Sequence, residues 1–362
     1  MKIAKVECIP RDFVFPSLLK YDIKLWNAKE YDIKLRDQFE AGRYPTSTRL
    51  ILGGTSLNAK IFEQLFPTVS QIAFESLEGL KNIELHSNQM TQKGFLHKLE
   101  FVKVRDCGDV FTLFPAKLRQ VLKNLKEVIV DSCKSVEEVF ELGEDDEGSS
   151  EEKELPLLSS ITLLQLLWLP ELKCIWKGPT RHVSLQNLNL LDLYSLDKLT
   201  FIFTASLAQS LPKLERLDIS DCGELKHIIK EEDGERKIIP ESPGFPKLKN
   251  IFIEDCGKLE YVLPVSVSPS LLNLEEMRIF KAHNLKQIFF SVEDCLYRDA
   301  TIKFPKLRRL SLSNCSFFGP KNFAAQLPSL QILEIDGHKE LGNLFAQLQV
   351  RPLYFSNNFF PF

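Results

Sequence analysis

The chain lacks both a long hydrophobic run and a strong excess of charge of either sign. No stretch reaches the roughly 18 consecutive apolar residues that suggest a membrane-spanning helix, so the sequence predicts no membrane span. The 46 lysine and arginine residues and the 49 aspartate and glutamate residues leave a formal net charge of −3, which gives no reason to expect a nucleic acid partner. Residues 53–60 contain two glycines and a lysine without the GxxxxGK(S/T) spacing of a phosphate-binding loop, so we expect no nucleotide and no other cofactor.

The residue types that build metal and catalytic sites are present but scattered. The 8 cysteines include no CxxC pair and the 6 histidines form no HExxH motif, so we expect no metal site and no catalytic residues, and hence no enzyme. Charged residues stand near the amino terminus where a secretory signal would be apolar. We therefore expect a cytoplasmic protein whose cysteines remain thiols.

An internal repeat runs through most of the chain. Its clearest copies are LPKLERLDISDC at 211–222, FPKLKNIFIEDC at 245–256 and FPKLRRLSLSNC at 304–315. If the leucine after Pro-x is called position 0, apolar residues recur at positions 3, 5, 11 and 14, and a small or apolar residue stands at position 8. Position 0 falls at residues 69, 99, 125, 161, 188, 214, 248, 274, 307 and 330, with weaker copies that begin near Leu18 and Ser47. The short separations match the period of roughly 20–29 residues that is typical of leucine-rich repeats.

The spacing of the apolar positions predicts the fold. Positions 3 and 5 alternate with a period of two and so point inward from a short strand, while positions 11 and 14 have a helix-like spacing on the return path. One unit cannot bury these rows alone, and stacked units form one continuous core. We therefore predict an α/β fold, a leucine-rich-repeat solenoid shaped as a curved horseshoe. A parallel β-sheet would line its concave face, and irregular, 3-10 or short helical turns its convex face.

The regularity of the repeat suggests how the chain is divided. Residues 1–68 would hold degenerate N-terminal repeats, residues 69–348 the regular repeats, and residues 349–362 a C-terminal tail. Long separations between repeats indicate insertions near 141–157, 230–244 and 291–303, which are rich in charged residues and are expected away from the strands.

Five cysteines share position 8, namely Cys107, Cys133, Cys222, Cys256 and Cys315. Adjacent copies would lie about 5 Å apart, one strand spacing, which is close enough for a disulfide in principle. A row of thiols that lines the core is the favoured interpretation, because the compartment is expected to be reducing.

The best candidates for function are the strand residues that should face outward, at positions 2, 4, 6 and 7. Packing does not explain a tryptophan, a tyrosine and two phenylalanines there, and aromatic residues beside arginine on a rigid surface are typical of binding hot spots. The predicted protein-binding residues are Lys103, Arg105, Trp168, Tyr194, Arg216, Asp218, Phe252, Glu254, Arg278, Phe280, Lys281, Arg309 and Glu334.

The unit FPKL-xx-L-x-I-xx-C-xx-L-xx-I resembles the repeats of plant intracellular disease-resistance proteins, the coiled-coil, nucleotide-binding, leucine-rich-repeat immune receptors. The matching segments are 211–228, 245–262, 304–318 and 327–344, together with LPELKCIW at 169–176 and LEGLKNI at 77–83. The resemblance implies a recognition domain in the defense response that binds a pathogen effector, a guarded host protein or the nucleotide-binding domain of an immune receptor. The nucleotide-binding module itself is lacking in this sequence, so nucleotide binding is not carried over.

A second function remains open at this point. The chain would also suit a general leucine-rich-repeat adaptor or scaffold, such as the substrate-recognition module of a ubiquitin ligase. An F-box-like helical segment would favour that alternative, and residues 1–45 do not contain one.

Overall fold

The chain divides into two compact units, residues 1–199 and 200–362. The computed structural model describes residues 22–27, 49–54, 69–77, 79–81, 96–118, 121–143, 156–209, 211–230, 244–290, 301–313, 317–320, 323–336 and 341–349, with only the backbone for the first two ranges. Most of each predicted insertion, most of residues 1–68 and the tail from 350 onward lie outside the described residues. The end of the third predicted insertion was misplaced, because Thr301–Lys303 form a strand.

Parallel strands build the first unit. Among its described residues, the large sheet has the strand order β1-β2-β3-β4-β6-β8-β10, and a small sheet on the return path has the order β5-β7-β9. The strands are β1 (Asp22–Asn27), β2 (Arg49–Gly54), β3 (Gln71–Glu75), β4 (Phe101–Arg105), β5 (Thr112–Phe114), β6 (Glu127–Asp131), β7 (Glu138–Glu141), β8 (Leu163–Leu167), β9 (Cys174–Lys177) and β10 (Leu190–Tyr194).

The second unit repeats this plan. Its described large-sheet strands lie in the order β12-β14-β16-β19-β21, and two smaller sheets have the orders β11-β13-β15-β17 and β18-β20-β22. The elements are β11 (Phe201–Thr204), α1 (Ala205–Ala208), β12 (Arg216–Ser220), β13 (His227–Lys230), β14 (Asn250–Glu254), β15 (Tyr261–Pro264), β16 (Glu276–Phe280), β17 (Gln287–Phe290), β18 (Thr301–Lys303), β19 (Arg309–Ser313), β20 (Ala324–Gln326), β21 (Ile332–Asp336), α2 (Leu341–Gln347) and β22 (Leu348–Gln349).

The large-sheet strands confirm the predicted solenoid. From β4 to β21, each occupies positions 2–6 of its repeat, and in β6, β8, β10, β14 and β16 burial alternates so that positions 3 and 5 are buried. Leu164 and Leu166, for example, are fully buried in β8. The side of this sheet formed by positions 2, 4 and 6 points away from the core, and we call it the outer face.

The return path contains more strand than the sequence suggested. Short helical pieces are present as predicted, with 3-10 turns at Ala116–Leu118, Val121–Lys123 and Val265–Ser270. Position 14 nevertheless lies in a strand rather than a helix, because β5, β7, β9, β11, β13, β15 and β17 all begin at position 13 of their repeats. The helix-like spacing of positions 11 and 14 was therefore misinterpreted.

A tight turn explains the Pro-x-Leu motif that opens many repeats. The amide of position 0 donates a hydrogen bond back to the carbonyl of position −3, as from Leu248 to Phe245 at 3.2 Å and from Leu214 to Leu211 at 3.3 Å. Proline suits the second residue of such a turn because its φ is already fixed near the required value. Side chains at position −1 then link neighbouring repeats, as where the Asn273 Nδ2 donates to the Pro246 carbonyl at 2.7 Å.

In the described part of the chain, the residue that follows each large-sheet strand from β3 to β16 has left-handed backbone. Position 7 has a φ between 50° and 56° in Ser76, Asp106, Ser132, Trp168, Ser195, Asp221, Asp255 and Lys281. The chain turns there toward the core, and the next residue, at position 8, is buried. Cys133 and Cys256 at position 8 each donate an S–H···O bond at 3.4 Å to the carbonyl of position 6. The sequence thus predicted the buried thiol row correctly at Cys107, Cys133, Cys222 and Cys256, and the described cysteines are free thiols. Cys315, the fifth predicted member of the row, lies outside the described residues.

Lysine and glutamate alternate between successive repeats at positions 1, 10 and 12. In the second unit, Lys249 contacts Glu215 at 2.7 Å and Lys258 contacts Glu224 at 2.6 Å. The same unit pairs Lys286 with Glu260 at 2.6 Å. In the first unit the corresponding pairs are Lys126–Glu100, Lys198–Glu171 and Lys173–Glu137. Exposed pairs of this kind add little stability individually, but like charges at the same positions would disfavour the stacking.

Stacked aromatic rings fill the core beneath the return strands of the first unit. The Phe114 and Phe140 ring centroids are 5.1 Å apart with an interplanar angle of 7°, and those of Phe140 and Trp176 are 5.2 Å apart with an angle of 6°. All three residues stand at position 15 of neighbouring repeats, and Phe140 is fully buried. Parallel strands in register place equivalent residues one above another, which is why identical positions form a stack.

Candidate functional site

The outer face is the surface on which the predicted site residues were expected. In the first unit, Arg105 and Tyr194 lie on this face, and Trp168 lies directly after strand β8, where the chain leaves the sheet. All three residues are at least partly exposed. The nine predicted residues of the second unit are also partly exposed there, namely Arg216, Asp218, Phe252, Glu254, Arg278, Phe280, Lys281, Arg309 and Glu334.

Lys103 departs from this expectation. Its residue exposure is only 6%, although it stands at position 4 of β4. The register sets it beside Ala73, which is fully buried, and the outward residues Gln71 and Glu75 of β3 are buried as well. The outer face is therefore covered at β3 and at Lys103 of β4, and Lys103 cannot serve as an exposed binding residue.

Arg105 lies where the outer face becomes exposed. Its Nε atom is 3.3 Å from the Asp131 carboxylate on the adjacent strand β6. The Arg105 side chain is 54% exposed, so the pair is screened by water and contributes little to stability.

Trp168 is the most exposed of the predicted aromatic residues. It is 50% exposed, its φ is 55°, and its ring meets the Tyr194 ring edge-on with a centroid distance of 4.8 Å. The other position-7 residues are aspartate, serine or lysine, and a left-handed conformation costs an ordinary residue roughly 1–2 kcal/mol. A large apolar side chain is thus held in solvent at a position that does not favour it.

Further apolar residues lie on the outward side of the same strands and of the neighbouring strand β6. Ile129, Leu163, Leu167 and Leu190 occupy outward positions of β6, β8 and β10 and are half-buried. The register pairs Leu190 with Leu163 and Tyr194 with Leu167. Together with Trp168 and Tyr194 they form what we call the apolar patch. The segment LLQLLW at 163–168 could have predicted this patch, because leucine there occupies outward as well as inward positions of the strand.

The outer face of the second unit is charged rather than apolar. On β12 the Arg216 Nε donates to the Asp218 carboxylate at 2.6 Å, and on β16 the Arg278 guanidinium donates to Glu276 at 2.7 Å. Phe252 lies between them, because the register aligns it with Asp218 on one side and Arg278 on the other. These side chains, together with Asn250 and Ile251, line an open pocket of about 330 Å³.

Further charged contacts extend this surface along the strand ends. The Lys281 ammonium lies 3.3 Å from the Glu254 carboxylate and 3.4 Å from that of Asp255. The hydrogen bond to Glu254, followed by that to Asp255, raises the pKa of Lys281, which therefore stays charged at neutral pH. Arg309 approaches Glu334 at 3.9 Å on the next pair of strands.

In the described part of the chain, no group of three or more His, Cys, Asp or Glu residues is arranged to hold a metal ion. No described helix has the length and apolar character to cross a membrane. The thiol row lies away from solvent, and burial together with the hydrogen bond to Cys107 raises the pKa of Cys133, with the hydrogen bond the larger cause.

Comparison with known proteins identifies the type of repeat. Residues 68–223 match the family model described as plant disease resistance protein RPS2-like, leucine-rich repeats, which confirms the resemblance for this segment. A crystal structure of a leucine-rich repeat protein from Bacteroides ovatus is 12% identical, with 78% of each chain covered and a TM-score of 0.24, and this low similarity supports no conclusion about function. No curated protein matches the chain.

Proposed function

We propose that this chain acts in the plant defense response by binding another protein through its outer face, since residues 68–223 match the leucine-rich repeats of plant disease-resistance proteins. Leucine-rich-repeat domains are in general non-catalytic modules for protein interaction, and an extended sheet of stacked repeats suits that role. The partner would be a pathogen effector, a guarded host protein or the nucleotide-binding domain of an immune receptor, met in the cytoplasm.

The exposed Trp168 carries this proposal. A half-exposed indole in left-handed backbone stabilises the isolated chain poorly, and its burial in an interface would remove a large apolar area from water. Tryptophan, tyrosine and arginine are the residues that most often dominate binding energy, and Trp168, Tyr194 and Arg105 all lie in the first unit.

The test is proximity labelling and pull-down from pathogen-challenged plant tissue. Wild type is compared with the triple variant Trp168→Ala/Phe252→Ala/Phe280→Ala. The matched control is Phe111→Ala/Leu272→Ala, which also removes exposed apolar side chains, 55% and 52% exposed, but from positions 12 and −2 of their repeats. Thermal unfolding of each purified variant shows whether it is folded.

A protein partner that is retained by wild type and the control but lost by the triple variant supports recognition through the outer face. A partner list that is the same for all three contradicts a site on the outer face. The absence of any reproducible partner from challenged and unchallenged tissue contradicts the recognition function itself.

A further inference from the structure

We propose that the apolar patch of the first unit binds a protein segment that combines large apolar side chains with flanking lysine or arginine residues. This inference rests on the proposed function, since it names the kind of partner that the outer face takes. The residues of the apolar patch are Ile129, Leu163, Leu167, Trp168, Leu190 and Tyr194.

The patch contains two apolar pairs on β8 and β10, separated by the hydrogen-bonded pair Gln165–Asp192, with Ile129 of β6 beside Gln165. Leu163 and Leu167 on β8 are half-buried, and their register partners on β10 are Leu190 and Tyr194. Single exposed apolar residues are ordinary on protein surfaces, whereas several large apolar side chains on one face of a rigid sheet indicate an interaction site. An apolar group of this kind selects a partner with large apolar side chains of its own.

The surroundings of the patch are acidic. Glu127 and Asp131 of β6 stand in register with Leu163 and Leu167, and Asp192 of β10 stands in register with Gln165. Asp192 accepts a hydrogen bond from Gln165 at 2.9 Å, so its carboxylate is held beside the patch.

Positive charge around the patch is sparse. Across positions 2, 4, 6 and 7 of β3, β4, β6, β8 and β10 the cationic residues are Lys103 and Arg105, against the carboxylates of Glu75, Asp106, Glu127, Asp131 and Asp192. Lys103 and Glu75 are both buried, and Arg105 is paired with Asp131, but the surface also carries the carboxylates of Asp106, Glu127 and Asp192. A surface with this balance attracts basic groups and repels acidic ones.

We expect the partner of the apolar patch to differ in charge from any partner of the second unit. There each arginine of the pocket is matched by a carboxylate on its own strand, Arg216 by Asp218 and Arg278 by Glu276. The pocket carries no net charge, so variants in the second unit serve as controls for the first.

The experiment uses the full chain and two fluorescein-labelled helical peptides. Both have the same leucine-rich apolar face, but one has lysine and the other glutamate on its polar face. Fluorescence anisotropy measures each dissociation constant at low and at physiological salt. The protein variants are Leu163→Gln/Leu190→Gln for the patch, Glu127→Gln/Asp131→Asn/Asp192→Asn for the carboxylates, and Leu272→Ala, at an exposed residue away from the outer face, as the second-unit control.

We expect the lysine peptide to bind at least tenfold more tightly than the glutamate peptide. The carboxylate variant should lose about tenfold in affinity for it, since three partly screened charge contacts each contribute modestly. The patch variant should lose at least as much, while Leu272→Ala should bind like wild type. All substitutions lie at partly exposed positions, and unchanged melting temperatures confirm the fold.

Equal binding of the two peptides, or binding that survives in the patch variant, would overturn the inference, as would the absence of binding to either peptide. Self-association of wild type that is lost in the patch variant would also overturn it, because the patch would then be an interface between two copies. If the plant partner is lost in the second-unit variant Phe252→Ala/Arg278→Ala but not in the patch variant, this inference fails while the proposed function stands.

Discussion

Replacing Phe140 by alanine should be among the most destabilising single changes in the first unit. Phe140 is fully buried between Phe114 and Trp176, with ring centroids 5.1 and 5.2 Å away. Deleting a buried phenylalanine side chain costs about 3–5 kcal/mol, because apolar burial is lost and a cavity remains. Phe140→Leu fills most of that volume but removes both ring contacts, and since each contact is worth about 0.5–1.5 kcal/mol, it should cost about 1–3 kcal/mol.

Equilibrium unfolding in urea measures these free energies. Trp176 is only 5% exposed and stacks directly on Phe140, so its fluorescence reports on this part of the core, and far-UV circular dichroism follows the strands. Hydrogen exchange in β5, β7 and β9 shows whether the loss is local, as expected for stacked repeats. Phe111→Ala, at a residue 55% exposed, is the control and should change stability by less than about 0.5 kcal/mol.

A loss below about 1 kcal/mol for Phe140→Ala would refute the view that the aromatic stack holds the return strands together. Equal stability of Phe140→Leu and wild type would show instead that volume alone matters, with no contribution from ring stacking.

Three further predictions follow from single positions. Ser132 has a φ of 56°, and a β-branched residue tolerates left-handed backbone poorly. Ser132→Val should therefore have a free energy of unfolding about 1–2 kcal/mol lower than that of Ser132→Asn. Equal urea midpoints for the two variants would contradict this prediction. A Cβ atom on Gly319 would lie 2.4 Å from the buried Phe323 ring, so Gly319→Ala should cost about 1–3 kcal/mol in a thermal or urea melt, and an unchanged melt would show that the ring moves aside. Burial raises the pKa of the Cys174 thiol above its ordinary value of 9.0, so less thiolate is present at pH 8 than in an exposed cysteine. Its alkylation by iodoacetamide, followed on its own peptide by mass spectrometry, should keep accelerating above pH 9, whereas a plateau below pH 9 would contradict the shift.

The sequence was sufficient for the large sheet because its signal is repeated. Positions 3 and 5 are apolar in copy after copy, so residues such as Leu164 and Ile253 could be placed in the core from their spacing alone. The same holds for Cys133 and Cys256 at position 8.

The return strands were missed because they span only three or four residues each, too few for periodicity to distinguish strand from helix. The weak repeat copy near Leu18 was also misplaced. The register aligns Asp22 with Arg49, at position 2 of the copy that begins at Ser47, so the first repeat starts two residues later than predicted.

For the candidate site, sequence position predicted orientation but not accessibility. Trp168 and Phe252 are at least partly exposed, whereas Lys103, at an equivalent position, is buried where the outer face is covered. Leu163, Leu167 and Leu190 were overlooked because leucine on a parallel strand is expected to be buried on both faces. The hydrogen bond between Arg216 and Asp218 could not be predicted from the sequence, because outward-facing side chains can pair with several different neighbours.

The alternation of lysine and glutamate limits how such an array can change in evolution. Unequal recombination that removed residues 248–273 would bring Glu215 next to Glu275 and Lys226 next to Lys286. Each of these contacts would then join like charges where opposite charges met before. Loss of residues 248–306 would instead bring Glu215 next to Arg308, so the repeats that can be lost without charge repulsion depend on the signs of the residues that a deletion brings together.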